Sequence, residues 1–278
     1  MGRLEGTRAV ITGAASGIGE ATARLFVGEG ASVVIADIDD DRGKRIADEL
    51  GERARFVHAD VSQEEEVDSA IALAVDVFGG LDCLFNNAGN PGSIGGIAEI
   101  EMATFDRTVA IHLRGVFLGI RSAARVMCPA GHGSIINTSS VAALAANYGG
   151  HDYSACKAAI AHLTRTTASE LGEYGIRVNA ICPGGIATSI FGRAAGLESE
   201  KAQSTVDTMA AVLSDIAPIR RSGQPIDIAE AALWLASDAS SFVNGQVIAV
   251  DGGLTTGPLY RQQQQLMAGM GELLLGFA

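Results

Sequence analysis

The sequence predicts an α/β fold built on a doubly wound parallel sheet, and three observations carry that expectation. Short apolar, β-branched runs alternate with helical patterns along the chain. A glycine-rich turn, Thr12-Gly13-Ala14-Ala15-Ser16-Gly17-Ile18-Gly19, separates the first such run from the first helix. Gly13, Asp37, Asp60, Asn87, Ser140 and Pro183 all fall at the carboxyl ends of expected strands, where open parallel sheets hold their ligands. The chain has 278 residues, no Pro- or Ser-rich linker and no internal repeat, so one domain spanning 1–278 is expected.

Residues 8–12 read as a short buried strand, and the alanine-rich stretch 20–29 as a helix. Between them, Gly13, Gly17 and Gly19, with Ser16 and Ile18, leave the backbone bare. A pyrophosphate can then approach and settle at the helix N-terminus. Residues 31–36 form a second strand ending at Asp37 and Ile38. A carboxylate there, 20 residues beyond Gly17, accepts hydrogen bonds from the adenosine ribose hydroxyls and repels a 2′-phosphate. No arginine sits in the turn immediately after Gly13, so NAD is expected over NADP. The bland alternative is a turn-forming Asp heading Ile38-Asp39-Asp40-Asp41.

A helix near 41–50 leads to a third strand, 55–58, and then to Asp60 and Val61. Asp60 is placed to accept the adenine amino group, and Val61 to pack on the ring. The helix at 63–78 opens on Glu64, Glu65 and Glu66, which complement the helix dipole. Residues 81–85 are a fourth strand running into Asn86-Asn87-Ala88-Gly89. One long helical pattern, 102–128, contains His112, and a fifth strand ends at Ser139-Ser140. The helix carrying Tyr153 runs to about 173, and the sixth strand, 176–181, ends in Cys182-Pro183-Gly184-Gly185. Residues 187–222 form a glycine-punctuated, partly apolar insertion, read either as a lid or as a surface helical hairpin. A helix at 228–235 and a strand at 246–250 follow. The tail, 256–278, ends in a run of Leu, Met and Phe too apolar for a solvated tail. Packing on a partner subunit is expected, because the segment is short and carries little positive charge for a membrane surface.

Composition excludes several function classes. A net charge of −12 argues against a nucleic-acid partner. No run approaches a membrane span, and the N-terminal residues lack the apolar core of a signal peptide. Cys83, Cys128, Cys156 and Cys182 are scattered, which argues against a zinc site or a disulfide framework. A cytoplasmic protein with no metal is the expectation.

The chemistry centres on Tyr153-Ser154-Ala155-Cys156-Lys157. In a helix, Tyr153 and Lys157 share one face, one turn apart. A free phenol, with a pKa of about 10, is a poor base at neutral pH. An ammonium held beside it favours the phenolate, which suits acid–base chemistry on an alcohol. Ser140, at the end of the fifth strand, offers a hydroxyl to the same substrate oxygen. A surface tyrosine packed on a lysine stem fits the spacing equally well until the first forty residues are added.

Together these residues resemble the short-chain dehydrogenase/reductase family, over essentially the whole chain to about residue 255. The matches are Thr12-Gly13-x-x-x-Gly17-x-Gly19, Asp60, Asn86-Asn87-Ala88-Gly89, Ser140, Tyr153-x-x-x-Lys157, and Pro183-Gly184 with Thr188. The resemblance implies a Rossmann fold with Tyr153 as acid/base and Ser140 orienting the substrate oxygen. It implies that Lys157 holds the nicotinamide ribose and lowers the Tyr153 pKa. Ser140 rather than Ser139 matches the family's spacing to Tyr153. Ile186 and Thr188 would contact the nicotinamide carboxamide, while Asn87 and Gly89 would line the adenosine-ribose and nicotinamide side. One departure stands out: His112 occupies the position where the family usually has Asn, which holds a water next to the lysine. A proton relay through His112 and a satisfied, partly buried imidazole are both open readings.

The expected reaction is reversible hydride transfer between NAD(H) and a hydrophobic secondary alcohol or ketone, with cyclic terpenoid, steroid and dihydrodiol compounds as the substrate class. Residues near 91–95, Leu144 to Tyr148, Phe191 and Leu197 would line the pocket, with Leu144, Tyr148 and Phe191 touching substrate. The alternatives are a 3-oxoacyl-carrier-protein reductase and a non-catalytic NAD-binding sensor. Homodimers or homotetramers are expected through the helices at 102–128 and 153–173, with Ala155, Ala158, Ala159 and Ala161 as a small-residue contact face.

Overall fold

The computed structural model describes residues 2–277. Seven strands form one sheet in the order β3-β2-β1-β4-β5-β6-β7, and every neighbouring pair is parallel. They are β1 (Arg8–Thr12), β2 (Ser32–Asp37), β3 (Ala54–His58), β4 (Cys83–Asn86), β5 (Gly133–Thr138), β6 (Ile176–Pro183) and β7 (Val247–Val250). The order reverses at β1, which lies between β2 and β4. A crevice therefore opens beyond the carboxyl ends of β1 and β4, where the two halves of the sheet wind in opposite directions.

The central strands are apolar on both faces because helices cover both faces. On one face Ile11, Ile35 and Phe85 pack with Ala23 and Phe26 of α1 (Gly17–Gly28), Ile46 of α2 (Asp40–Leu50), and Ile228 and Leu233 of α10 (Pro225–Ala236). On the other, Val10, Val34, Leu84 and Ile135 pack with Ile71 of α3 (Glu64–Phe78), Ile120 and Met127 of α5 (Gly115–Ala130), and Ile160 of α6 (His151–Leu171). A buried polar chain adds register: Asn86 Nδ2 donates to Asn137 Oδ1 at 2.9 Å, and Asn137 Nδ2 donates to Thr164 Oγ1 at 3.0 Å. It ties β4 and β5 to α6, the helix that carries Tyr153.

The expected single helix at 102–128 is interrupted. It comprises α4 (Met102–Val109), a π-helical turn at Ala110–Arg114, and α5. Such single turns often accompany functional sites, and this one carries His112. The insertion at 187–222 holds three short helices, α7 (Ile190–Ala194), α8 (Ser199–Ser204) and α9 (Val206–Ile216). The tail forms α11 (Tyr260–Leu275), none of whose residues is buried. The proposed alanine face needs correction: Ala155 and Ala158 are exposed, but Ala161 is buried. The turn of α6 puts these residues on different sides. Among the described residues no helix is long and apolar enough to cross a membrane.

Candidate active site

The glycine-rich turn is folded flat. Gly13 and Gly17 have φ of +66° and +55°, a region that suits glycine. A methyl group on Gly19 would fall 2.1 Å from the Gly13 carbonyl oxygen. Asn87 fastens the turn: its Nδ2 donates to the Thr12 carbonyl at 3.0 Å and to the Gly13 carbonyl at 3.3 Å, and its amide donates to Thr12 Oγ1 at 3.0 Å. Asn87 thus spends its side-chain donors on the loop. Ser16 makes no side-chain cap on α1, so no side chain of the N-cap covers the helix's leading amides. Such amides fit an anion.

Asp37 stands at the end of β2, half-buried. Its Oδ2 accepts the Ala15 amide at 2.8 Å and its Oδ1 the Asp39 amide at 3.0 Å. A carboxylate keeps acceptor capacity beyond two such bonds, enough for ribose hydroxyls. Ile38, beside it, is exposed, and Asp60 Oδ1 accepts the Ser62 amide at 2.9 Å. The expectation that Val61 stacks on adenine through its side chain is corrected: that side chain is buried against Val67, Leu118 and Gly115, so any adenine contact falls to its backbone. Across the crevice, Arg193 on α7 comes within electrostatic reach of Asp37, Asp39 and Arg42; burial pushes its guanidinium down and the two carboxylates oppose this.

Tyr153 and Lys157 do share a face of α6, with Lys157 Nζ 5.4 Å from the centre of the Tyr153 ring. Ser140 stands near Tyr153 and favours its charged form, and its side-chain oxygen accepts the Ala142 amide at 3.1 Å. Ser139 instead donates to the Lys157 carbonyl at 2.8 Å, inside the structure. Lys157 is buried and donates to the Thr138 carbonyl at 2.7 Å, leaving two ammonium protons for other acceptors. Burial pushes Lys157 down to about 8. The expectation of an acidified phenol does not hold for the protein alone: burial pushes Tyr153 above its ordinary value, and Ser140 only partly opposes it.

His112 is 1% exposed and meets the Tyr153 ring edge-on, with centres 5.2 Å apart and planes at 88°. Its Nε2 lies 3.0 Å from both the backbone and side-chain oxygens of Asn90, and 3.2 Å from the Asn90 amide. Two oxygen partners assign the ring proton to Nε2. Nδ1 is then a buried acceptor with no hydrogen-bond partner among the described residues. Burial, with Lys157 adding to it, pushes His112 down to about 3, so the ring is neutral across the working range.

The far wall comes from the β6 end and the insertion. A methyl on Gly184 would fall 2.7 Å from Asp251 Cα, and Ile186 bridges to Gly223. Thr188 packs over the glycine-rich turn, its Cγ2 3.2 Å from where a Gly17 methyl would stand. Leu144 and Tyr148 are exposed, with the Tyr148 hydroxyl donating to the Leu254 carbonyl at 3.0 Å; Phe191 is half-buried.

The profile of a family described as "Enoyl-(Acyl carrier protein) reductase" matches residues 13–255, most of the chain. The chain belongs to the short-chain dehydrogenase/reductase family. It is 44% identical to momilactone A synthase from Oryza sativa subsp. japonica and 42% identical to (+)-borneol dehydrogenase 2 from Salvia officinalis, each match covering 91% of both chains. Its fold matches the crystal structure of levodione reductase with a TM-score of 0.81 and 33% identity, covering 91% of this chain and 99% of that one. The protein is therefore an oxidoreductase of a family that uses NAD(P). Residues that the motifs do not signal gather around Tyr153: Asp152 holds Ser93 beside it, and Asn90 meets His112. Their only signal was position, Asn90 and Ser93 just after Asn-Asn-Ala-Gly and Asp152 just before Tyr153.

Proposed function

We propose that this dehydrogenase transfers hydride reversibly between NAD(H) and a hydrophobic cyclic secondary alcohol or ketone. The observation that supports it most is the Lys157 ammonium buried beside the Tyr153 ring, 5.4 Å from its centre, with Ser140 near the phenol. Gly13, Ser16, Gly17, Ile18 and Gly19 would cradle the pyrophosphate; Asp37 and Ile38 would meet the adenosine ribose, and Asp60 and Val61 the adenine. Asn87, Gly89, Tyr153, Lys157, Pro183, Gly184, Ile186 and Thr188 would surround the nicotinamide half. The bare turn, the uncapped helix start and the spare acceptor capacity of Asp37 fit that occupant. When bound, it supplies the hydride acceptor at nicotinamide C4. As the carbinol C–H bond breaks, the hydroxyl proton passes to the Tyr153 oxygen while Ser140 hydrogen-bonds the substrate oxygen. Leu144, Tyr148 and Phe191 offer apolar contact to a ring, in keeping with relatives named for borneol and levodione.

NAD is preferred in this reading because Asp37 faces the place of a 2′-phosphate, and like charges there cost several kcal/mol. Arg193 tempers this repulsion without removing it. The decisive assay is a panel of cyclic secondary alcohols with NAD+ and with NADP+. Turnover is expected with NAD+, with kcat/KM at least about tenfold above that with NADP+. Turnover only with NADPH and acyl thioesters would instead mark an acyl-carrier reductase, and dinucleotide binding without turnover a sensor.

His112 is assigned to the proton relay from Lys157, with its Nδ1 as the acceptor. His112→Ala is expected to lower the oxidation rate by about tenfold and to change its pH profile. An unchanged rate and profile would leave His112 a packing residue. The exposed apolar side of α11, with Leu266, Met267, Met270, Leu273 and Leu274, is read as a contact in a homodimer or homotetramer.

A further inference from the structure

The segment Asn90-Pro91-Gly92-Ser93 is fastened to the catalytic helix from two sides. On the first, Asp152 stands in the opening turn of α6, next to Tyr153, and is 2% exposed. Both its oxygens accept the Ser93 amide at 3.1 Å, and Oδ2 accepts the Ser93 hydroxyl at 2.7 Å. Oδ1 also accepts the Tyr153 amide at 2.8 Å. Burial alone would raise this carboxyl, but the donors from Ser93 and Tyr153 help hold it below the usual carboxylate range. On the second side, His112 Nε2 meets Asn90. The backbone between these points follows the helix closely. Gly92 has φ +71°, and a methyl there would lie 2.8 Å from Tyr153 Cβ. A methyl on Gly150 would fall 2.2 Å from the Ser93 carbonyl oxygen.

A carboxylate that served only the helix dipole would turn to the leading amides or to solvent. Asp152 instead spends most of its hydrogen bonds on Ser93, 59 residues away, at the point where the segment lies against Tyr153. Beyond Ser93 the chain runs outward, with Ile94 and Ile97 exposed. Ser93 is the last pinned residue before that apolar stretch.

We propose that Asp152 is a positioning residue that clamps Ser93 to the first turn of α6, making 90–93 the fixed wall of the alcohol pocket and setting how the substrate ring lies against Tyr153. This deepens the functional reading above and rests on it for the nature of the substrate. The clamp itself does not depend on that reading, because it can be watched without substrate.

The experiment compares Asp152→Ala, Asp152→Asn and Ser93→Ala in the full chain. Deuterium exchange at residues 90–96 is measured in the cofactor-free protein; KM, kcat and dinucleotide affinity are measured with the best alcohol of the panel. Asp152→Ala is expected to speed exchange at 90–96 and raise KM about tenfold, with kcat and dinucleotide Kd within about threefold. The isosteric Asp152→Asn still accepts the Ser93 amide and can donate to the Ser93 hydroxyl, so it restores both properties to within about threefold of the parent. Should Asp152→Ala not fold, Ser93→Ala carries the test, with a smaller change in the same two readouts. Exchange as slow as in the parent overturns the clamp. Faster exchange with KM unchanged overturns its role in holding substrate. If the parent turns over no cyclic alcohol but Asp152→Ala still loosens 90–96, the functional reading fails and the clamp stands.

Discussion

Tyr153→Phe is expected to lower alcohol oxidation by about 10³-fold or more, near the middle of the range for a positioned acid or base. The substitution removes one hydroxyl and little else. The ring still packs edge-on against His112, and Lys157 Nζ still lies over its face. Dinucleotide affinity should therefore hold within about threefold, while kcat and kcat/KM fall together, as they do when an interaction made in the transition state is lost. The pH profile gives a second readout. Burial raises the Tyr153 phenol above its ordinary value, so the phenolate that accepts the proton is scarce at neutral pH. Oxidation by the parent should climb as pH rises from 7 through at least about 9, and reduction should fall over the same range. In Tyr153→Phe that climb disappears. A variant that oxidises alcohols as fast as the parent would end the assignment.

The fold was legible because its signals are local. Strands of four to eight mostly apolar residues, a glycine turn and a helix start with three Glu need no tertiary contact to be seen, and the strand ends then line up the crevice residues. Tyr153, Lys157 and Ser140 were legible for the same reason, as a spacing on one helix and one strand end. What stayed hidden depends on burial. The sequence places an ammonium near a phenol, but both groups are also removed from water, and burial raises Tyr153 and lowers Lys157. Val61 looked available to adenine, yet Gly115 on α5 leaves room for its side chain to turn inward. The π-helical turn at Ala110–Arg114 adds a residue to the helix without breaking its apolar pattern, so the pattern read as one helix. Nothing local to Asp152 signals its contact with Ser93, which only the fold creates.

Lys157→Met is expected to separate function from stability, because the same burial bears on both. Function should fall by about 10²-fold or more, with weaker dinucleotide binding, since the variant loses the ammonium beside Tyr153 and the donors left free for the nicotinamide ribose. Stability should move the other way at neutral pH. Burial lowers Lys157 from 10.5 to about 8, which corresponds to roughly 3 kcal/mol of cost for keeping the charged form inside. Methionine removes that cost but leaves the buried Thr138 carbonyl without its donor, a loss of about 1–3 kcal/mol. The remainder is a variant as stable as the parent or slightly more so at pH 7. The pH dependence fixes the sign independently. Between about pH 8 and 10.5 the unfolded lysine binds a proton that the folded one has released, so the parent gains stability from this group as pH rises through that window. Below about pH 8 that stability is lost. Any advantage of Lys157→Met should therefore be largest at pH 7 and shrink by pH 10. Denaturant midpoints for the two proteins across that range provide the measurement. A difference that stays flat with pH, or widens in favour of Lys157→Met toward pH 10, would mean that Lys157 is not held at a charge penalty in the folded protein.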